Sequence, residues 1–130
     1  MGNYKVVKKA ISYELANFLF NYFLLKREAV AHMYDTNMTY DSGMLGTWKD
    51  KQIPNTYSIY GDPTFDTLLM KVLPIMKKET GLEVVPTYSY ARLYKKGDEL
   101  KRHKDRFSCE ISTTMNLAGD DWPIYLEPSG

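Results

Sequence analysis

A histidine and an aspartate two positions apart, His103 and Asp105, are the residues of this chain best suited to carry chemistry. They follow a run that is typical of a strand, and two side chains at a strand's exit with this spacing can point at one cation. An imidazole and a carboxylate suit iron(II), whose site of two histidines and one carboxylate leaves coordination positions open. Taken alone, the pair is better explained by a surface histidine in a charged turn, since chance produces a His-x-Asp about 0.14 times in such a chain.

The pair lies between runs in which apolar and polar residues alternate. Residues 84–94 and 107–117 have the period of two that is typical of strands, and residues 122–127 form a third run. Residues 4–8 predict a further short strand. Alternate residues of a strand share one face, and on the first predicted strand these include Tyr88, Tyr90, Arg92 and Tyr94. For Tyr88 and Tyr90, packing and lining of a site are equally good explanations.

Two helices are predicted before the main strands. The first starts near Ser12, a good N-cap, and its apolar stripe ends around residues 32–35. The second starts at Asp62 and Pro63; Pro74 should kink it or end its regular part, and Gly81 should cap it. Residues 37–61, punctuated by glycine and proline, predict a long loop suited to substrate contacts. Helices followed by antiparallel strands indicate an α+β fold.

The run Tyr-Ala-Arg-Leu-Tyr-Lys-Lys-Gly-Asp-Glu-Leu-Lys-Arg-His-Lys-Asp, residues 90–105, resembles the prolyl-4-hydroxylase-like branch of the 2-oxoglutarate/iron(II) dioxygenases. In that family a strand ends in tyrosine, a glycine-containing turn follows, and a His-x-Asp pair comes next. The resemblance is specific over residues 88–126. It implies one domain spanning residues 1–130, in which a helical layer, 1–81, packs on strands 82–130 of a partial double-stranded β-helix, a cupin-like jelly roll.

The resemblance also assigns roles to individual residues. His103 and Asp105 would bind Fe(II), and the Tyr94 hydroxyl would reach the pocket of the co-substrate 2-oxoglutarate. Thr114 and Asn116 would line that pocket, and Arg92 would contact a small-molecule or peptidyl substrate. The reaction implied is hydroxylation of a substrate C–H bond, with succinate and carbon dioxide as the other products.

The sequence departs from the family pattern after the His-x-Asp pair. The family's second metal-binding histidine and the Arg or Lys that pairs with 2-oxoglutarate come later, but no histidine follows His103. Neither His32 nor the strand carboxylates Glu110 and Glu127 match the motif. We therefore expect an oxygenase fragment that is inactive as an isolated chain and self-associates to cover open sheet edges. The alternative is a non-catalytic interaction or scaffold domain derived from the same fold.

Charge and composition limit which binding partners and which cellular location are expected. The net charge is only +1, and the basic stretch 95–106 has acidic residues interleaved, so a nucleic-acid partner is not expected. The apolar stretch 15–25 is too short and too polar to span a bilayer. The single cysteine, Cys109, excludes an intrachain disulfide and suits a reducing compartment, which predicts a cytoplasmic protein.

Overall fold

The computed structural model describes residues 4–103, 111–120 and 124–125. In chain order these form helix α1, Tyr13–Asp35; strand β1, Ser58–Tyr60; helix α2, Pro63–Thr80; and strand β2, Tyr90–Arg92. The protein is therefore α+β, the class that the sequence predicts, but β1 lies between the two helices and not after them.

Both helices begin where their capping residues predict. The Ser12 side chain accepts a hydrogen bond from the Leu15 N–H at 3.0 Å, which satisfies one of the unpaired donors of the first turn of α1. The Asp62 side chain caps α2 in the same way, through the Thr64 N–H. Gly81 ends α2 in the left-handed conformation, with φ of 69°. Pro74 lies inside α2 and does not end it.

The two strands pair antiparallel in a short ribbon. Ser58 lies opposite Arg92, Ile59 opposite Ala91, and Tyr60 opposite Tyr90. Because side chains alternate across a strand, Ile59 and Ala91 share one face, and this face packs on the core. Tyr60, Tyr90 and Arg92 are therefore on the outer face of the ribbon.

The core lies between the ribbon and the two helices. Phe23 of α1 contacts Phe65 of α2 edge-to-face, with ring centroids 5.2 Å apart. Tyr57, which precedes β1 and is 1% exposed, packs against Phe23 at 5.3 Å and Trp48 at 4.7 Å. Such aromatic contacts bury large areas and dominate the stability of a small core.

A buried ion pair joins the two helices beside this core. Asp62 receives hydrogen bonds from the Tyr22 hydroxyl at 2.8 Å and from the Lys26 ammonium, while it also caps α2. Burial alone would raise the pKa of the Asp62 carboxyl, but these hydrogen bonds outweigh burial and hold it below its usual range. Asp62 is thus held as a charged cap in the interior.

Three predicted strands differ from the structure. Residues 4–8 form no strand, and of the predicted strand 84–94 only Tyr90–Arg92 is paired. Within the predicted strand 107–117, residues 111–117 form no strand, and residues 104–110 lie outside the described residues. Of the predicted third run, only residues 124–125 are described. Alternating polarity is a side-chain pattern, and a strand also needs a partner for its backbone hydrogen bonds.

The segment 37–61 also differs from the predicted open loop. It contains β1, and it places side chains in the core that are at most 3% exposed, namely Ile53, Thr56, Tyr57, Ser58 and Ile59. Among the described residues, neither helix is both long and apolar enough to cross a bilayer.

Candidate functional site

Strand β2 determines which of the predicted site residues come together. Ala91 and Leu93 pack on the core, and the Leu93 N–H donates to the Tyr57 carbonyl at 3.0 Å. This alternation directs Tyr90, Arg92 and Tyr94 to the opposite side. The Arg92 guanidinium donates to the Tyr94 hydroxyl at 3.3 Å, so two of the predicted site residues are in direct contact.

Arg92 is the centre of a polar cluster on the outer face. Its side chain is only 6% exposed, and Nη2 donates to Asp50 at 2.8 Å, to Gln52 at 3.2 Å and to the Tyr90 hydroxyl at 3.3 Å. The guanidinium carbon lies 5.1 Å from the centre of the Tyr90 ring and 5.5 Å from that of Tyr94, within the range of cation–π attraction. Among the described residues, no partner accepts from the buried Nε.

The opposite charges of Asp50 and Arg92 stabilise each other in this cluster. Burial alone would raise the pKa of the Asp50 carboxyl, but hydrogen bonds from Tyr90, the Gln52 backbone N–H and Arg92 hold it below its usual range. Burial likewise would lower the pKa of Arg92, yet its contacts with Tyr94 and Asp50 raise it. Both groups are therefore charged at neutral pH, and a second anion at Arg92 would have to compete with Asp50.

The turn after Tyr94 is organised by Asp98. Its carboxylate accepts from the Lys95 backbone N–H at 2.8 Å, the Lys95 ammonium at 2.7 Å and the Thr56 hydroxyl at 2.6 Å. Gly97 adopts φ of 92°, a conformation that residues with a Cβ rarely take. The predicted glycine-containing turn is therefore present, and Thr56 anchors it to the core.

His103 lies at the end of this turn and is exposed. Its Nδ1 is 2.9 Å from the Lys101 carbonyl oxygen, and since a carbonyl can only accept, Nδ1 is the donor. In the neutral ring the lone pair is then on Nε2, the arrangement in which metal-binding histidines are commonly held. Asp105, the predicted second ligand, lies outside the described residues, as do Glu110 and Glu127.

Thr114 and Asn116 are exposed, and the contacts described for them do not include Tyr94. The Asn116 amide donates to the Asp120 carbonyl at 3.5 Å, and the neighbouring Thr113 hydroxyl contacts the Met76 sulfur of α2 at 3.3 Å. Residues 4–103, 111–120 and 124–125 contain no group of three or more His, Cys, Asp or Glu side chains that could hold a metal ion.

Sequence reasoning missed two residues of the Arg92 cluster, Asp50 and Gln52. They come from the irregular segment about 40 positions earlier, where no periodic pattern relates them to β2. The only signal was an aspartate between two lysines, Lys49 and Lys51, which also describes many solvated turns. The link between Tyr22 and Lys26 was visible as an i, i+4 pair on a helix, but its buried partner Asp62 was not.

No known protein family matches this chain, and neither a curated protein nor a solved structure is detectably similar to it. Its function is therefore argued from its own residues.

Proposed function

We propose that this chain carries iron-binding and 2-oxoglutarate-binding residues of a 2-oxoglutarate/iron(II)-dependent oxygenase of the prolyl-4-hydroxylase-like type. The observation that carries the proposal is the orientation of His103 after the Tyr94 turn. Its Nδ1 donates to a backbone carbonyl, which leaves Nε2 as the nitrogen that would bind a metal.

The residues have distinct roles in this proposal. His103 and Asp105 would hold Fe(II), and the Tyr94 hydroxyl, with Thr114 and Asn116, would bind 2-oxoglutarate. Iron and the keto acid together supply the oxidising chemistry that hydroxylates a C–H bond. Arg92 already contacts the Tyr94 hydroxyl, so a substrate that accepts a hydrogen bond from Arg92 would lie beside the keto acid.

The proposal extends to the fold and the assembly. We propose that residues 82–130 belong to a partial jelly roll; the antiparallel pairing of β2 with β1 is the described strand contact that supports this. We propose a cytoplasmic location, with which the single cysteine is compatible. Self-association would cover the edges of so short a ribbon.

The chain offers a direct test, because it has only two histidines and both are exposed. Mn(II) is a paramagnetic substitute for Fe(II) that reports weak binding by broadening nearby NMR signals. We expect a titration to broaden the His103 imidazole signals before those of His32, and 2-oxoglutarate to strengthen the effect. Equal broadening of the two histidines would contradict the proposal.

Substitutions separate a specific site from general attraction of cations. His103→Ala and Asp105→Asn should each abolish the selective effect, while the matched controls His32→Ala and Asp120→Asn should leave it unchanged. Keto-acid-dependent formation of succinate, assayed with the same four variants, tests the reaction itself. Binding that survives both site substitutions would place the metal elsewhere.

The second candidate is a non-catalytic interaction or scaffold domain. It is favoured by the Arg92–Asp50 pair at 2.8 Å, because a guanidinium that is already neutralised and almost buried is typical of a structural role. Under this alternative, Mn(II) and 2-oxoglutarate have no selective effect at His103, and substitution of His103 changes only local stability.

A further inference from the structure

The outer face of the ribbon carries three tyrosines, Tyr60, Tyr88 and Tyr90, which we call the tyrosine face. Tyr60 lies opposite Tyr90 in the register, and its ring stacks on Tyr88 with centroids 4.8 Å apart and an angle of 28°. Tyr60 is 52% exposed and Tyr90 is 43% exposed. Large aromatic rings grouped with this much exposure on one face are more than packing requires.

Positive charge is concentrated in two segments of the chain, one that contains Tyr88 and Tyr90 and one that contacts Tyr90. Residues 49–52, which contact Tyr90 through Asp50, and residues 88–103 together contain seven Lys or Arg and three Asp or Glu. Their excess of four positive charges is larger than the net charge of +1 of the whole chain. The remainder of the protein is therefore acidic overall.

Several of these cations are available to a ligand. Arg92 and Lys95 are paired with Asp50 and Asp98, but Lys49, Lys51, Lys96, Lys101 and Arg102 are exposed. From Tyr90 to Lys96 an extended chain covers about 20 Å. The segment therefore joins the exposed ring of Tyr90 to the exposed Lys96 over a length comparable to that of a short strand of nucleic acid.

We propose that the tyrosine face binds single-stranded nucleic acid, with bases stacked on Tyr60 and Tyr90 and phosphates beside the exposed lysines. Every base has a flat π-face, so aromatic rings on a sheet bind single strands with little sequence preference, and cations nearby neutralise the backbone. Duplex DNA keeps its bases stacked on each other and cannot use the rings. An acidic peptide can use the charge but has no bases to stack. This inference is independent of the iron site.

The first test measures binding of the full chain to a fluorescent oligothymidine of about 12 nucleotides, by anisotropy at low salt. We expect saturable binding, and Tyr60→Leu should weaken it about 5- to 150-fold because one base loses its stacking partner. Tyr60→Phe keeps the ring and should stay within about 3-fold of the original protein. Tyr13→Leu, at an 88% exposed tyrosine of α1, is the matched control and should have no effect.

The second test uses salt, which reports phosphate contacts without depending on the tyrosines. With about three phosphates neutralised, the logarithm of the binding constant should fall with the logarithm of salt concentration with a slope of about −2. The double variant Lys96→Gln, Lys101→Gln should reduce this slope by about 1.4. Lys71→Gln with Lys78→Gln, two exposed lysines of α2, should not change it.

Three results would overturn the inference. The first is the absence of saturable oligothymidine binding at low salt. The second is unchanged binding by Tyr60→Leu when circular dichroism shows the same helix content. The third is equal affinity for duplex DNA or polyglutamate, which would mean that charge alone attracts the ligand.

Discussion

Residues 37–61 and the described residues from 94 to 120 both consist mostly of irregular backbone, but they differ in their relation to the core. The first segment contributes Tyr57 and Ile59 to the core cluster. In the second, none of the described residues is fully buried, and the Asn116 amide donates to the nearby Asp120 carbonyl. The segment with the weaker periodic pattern is therefore the more deeply buried.

The difference lies in how the backbone polar groups are satisfied. In residues 37–61, Thr47 and Ser58 exchange two backbone hydrogen bonds of 2.8 and 3.0 Å, and the Asn55 N–H donates to the Trp48 carbonyl. The Tyr34 and Tyr57 hydroxyls donate to the Gly46 and Leu45 carbonyls at 2.7 and 2.5 Å. Irregular backbone can be buried when each polar group has a partner, so burial follows pairing rather than regular structure.

The largest expected effect is at the centre of the buried segment. Tyr57→Ala should lower the free energy of unfolding by about 3–5 kcal/mol, because it removes a core ring and leaves a cavity. Tyr40→Ala, in the same segment but 80% exposed, should change it by less than about 0.5 kcal/mol. Urea unfolding followed by circular dichroism measures both. Similar losses for the two variants would mean that residues 37–61 are not a packed segment.

The next effect concerns two glycines of that segment with similar backbone angles. A Cβ on Gly46 would overlap the Tyr57 ring, whereas a Cβ on Gly43 would meet nothing within 4 Å. Both have positive φ, 97° and 90°, so both alanine variants are strained by about 1 kcal/mol. Overpacking against the ring should lower the free energy of unfolding of Gly46→Ala by a further amount of about 1–3 kcal/mol. Equal losses in urea unfolding would show that the ring is not held against Gly46.

The Asp50–Arg92 pair joins the buried segment to strand β2, which leads into the second region. Asp50→Asn should cost about 1–3 kcal/mol at neutral pH, because it leaves the guanidinium without its charged acceptor. Folding lowers the pKa of Asp50, so its charge stabilises the protein above the carboxyl's unfolded pKa of about 3.9, and this contribution is lost as pH falls through the folded value.

Unfolding experiments at several pH values test this linkage. The stabilities of the original protein and Asp50→Asn should differ at neutral pH and converge in acid, while the exposed control Asp35→Asn should follow the original protein throughout. A difference that persists at a pH well below both pKa values would show that the charge of Asp50 is not responsible.

The smallest expected effect is at the candidate metal ligand. His103→Ala should change the free energy of unfolding by less than about 0.5 kcal/mol in the absence of metal, because the ring is exposed. A decrease in the free energy of unfolding above about 1 kcal/mol would mean that His103 contributes to packing, so that the two regions would differ less than their exposure suggests.

Local signals predicted the helices well. Ser12, Asp62 and Gly81 each occupy the capping position expected of them, because a cap depends only on hydrogen bonds within one turn. The candidate site was predicted less completely. The contact of Arg92 with Tyr94 follows from strand alternation, whereas Asp50 reaches Arg92 from a distant segment. The metal pair and the oxygenase assignment stay predictions.

Short-range chemistry in the sequence was sufficient for the α+β class, the starts of both helices and the turn at Gly97, since each depends on neighbours within a few residues. Only the tertiary structure decided that residues 37–61 enter the core, that of the predicted strand 84–94 only Tyr90–Arg92 is paired, and that the lysine-flanked Asp50 contacts the exposed Tyr90. Burial, strand pairing and clustering of charge are all contacts between distant residues, and no local pattern specifies which distant residues meet.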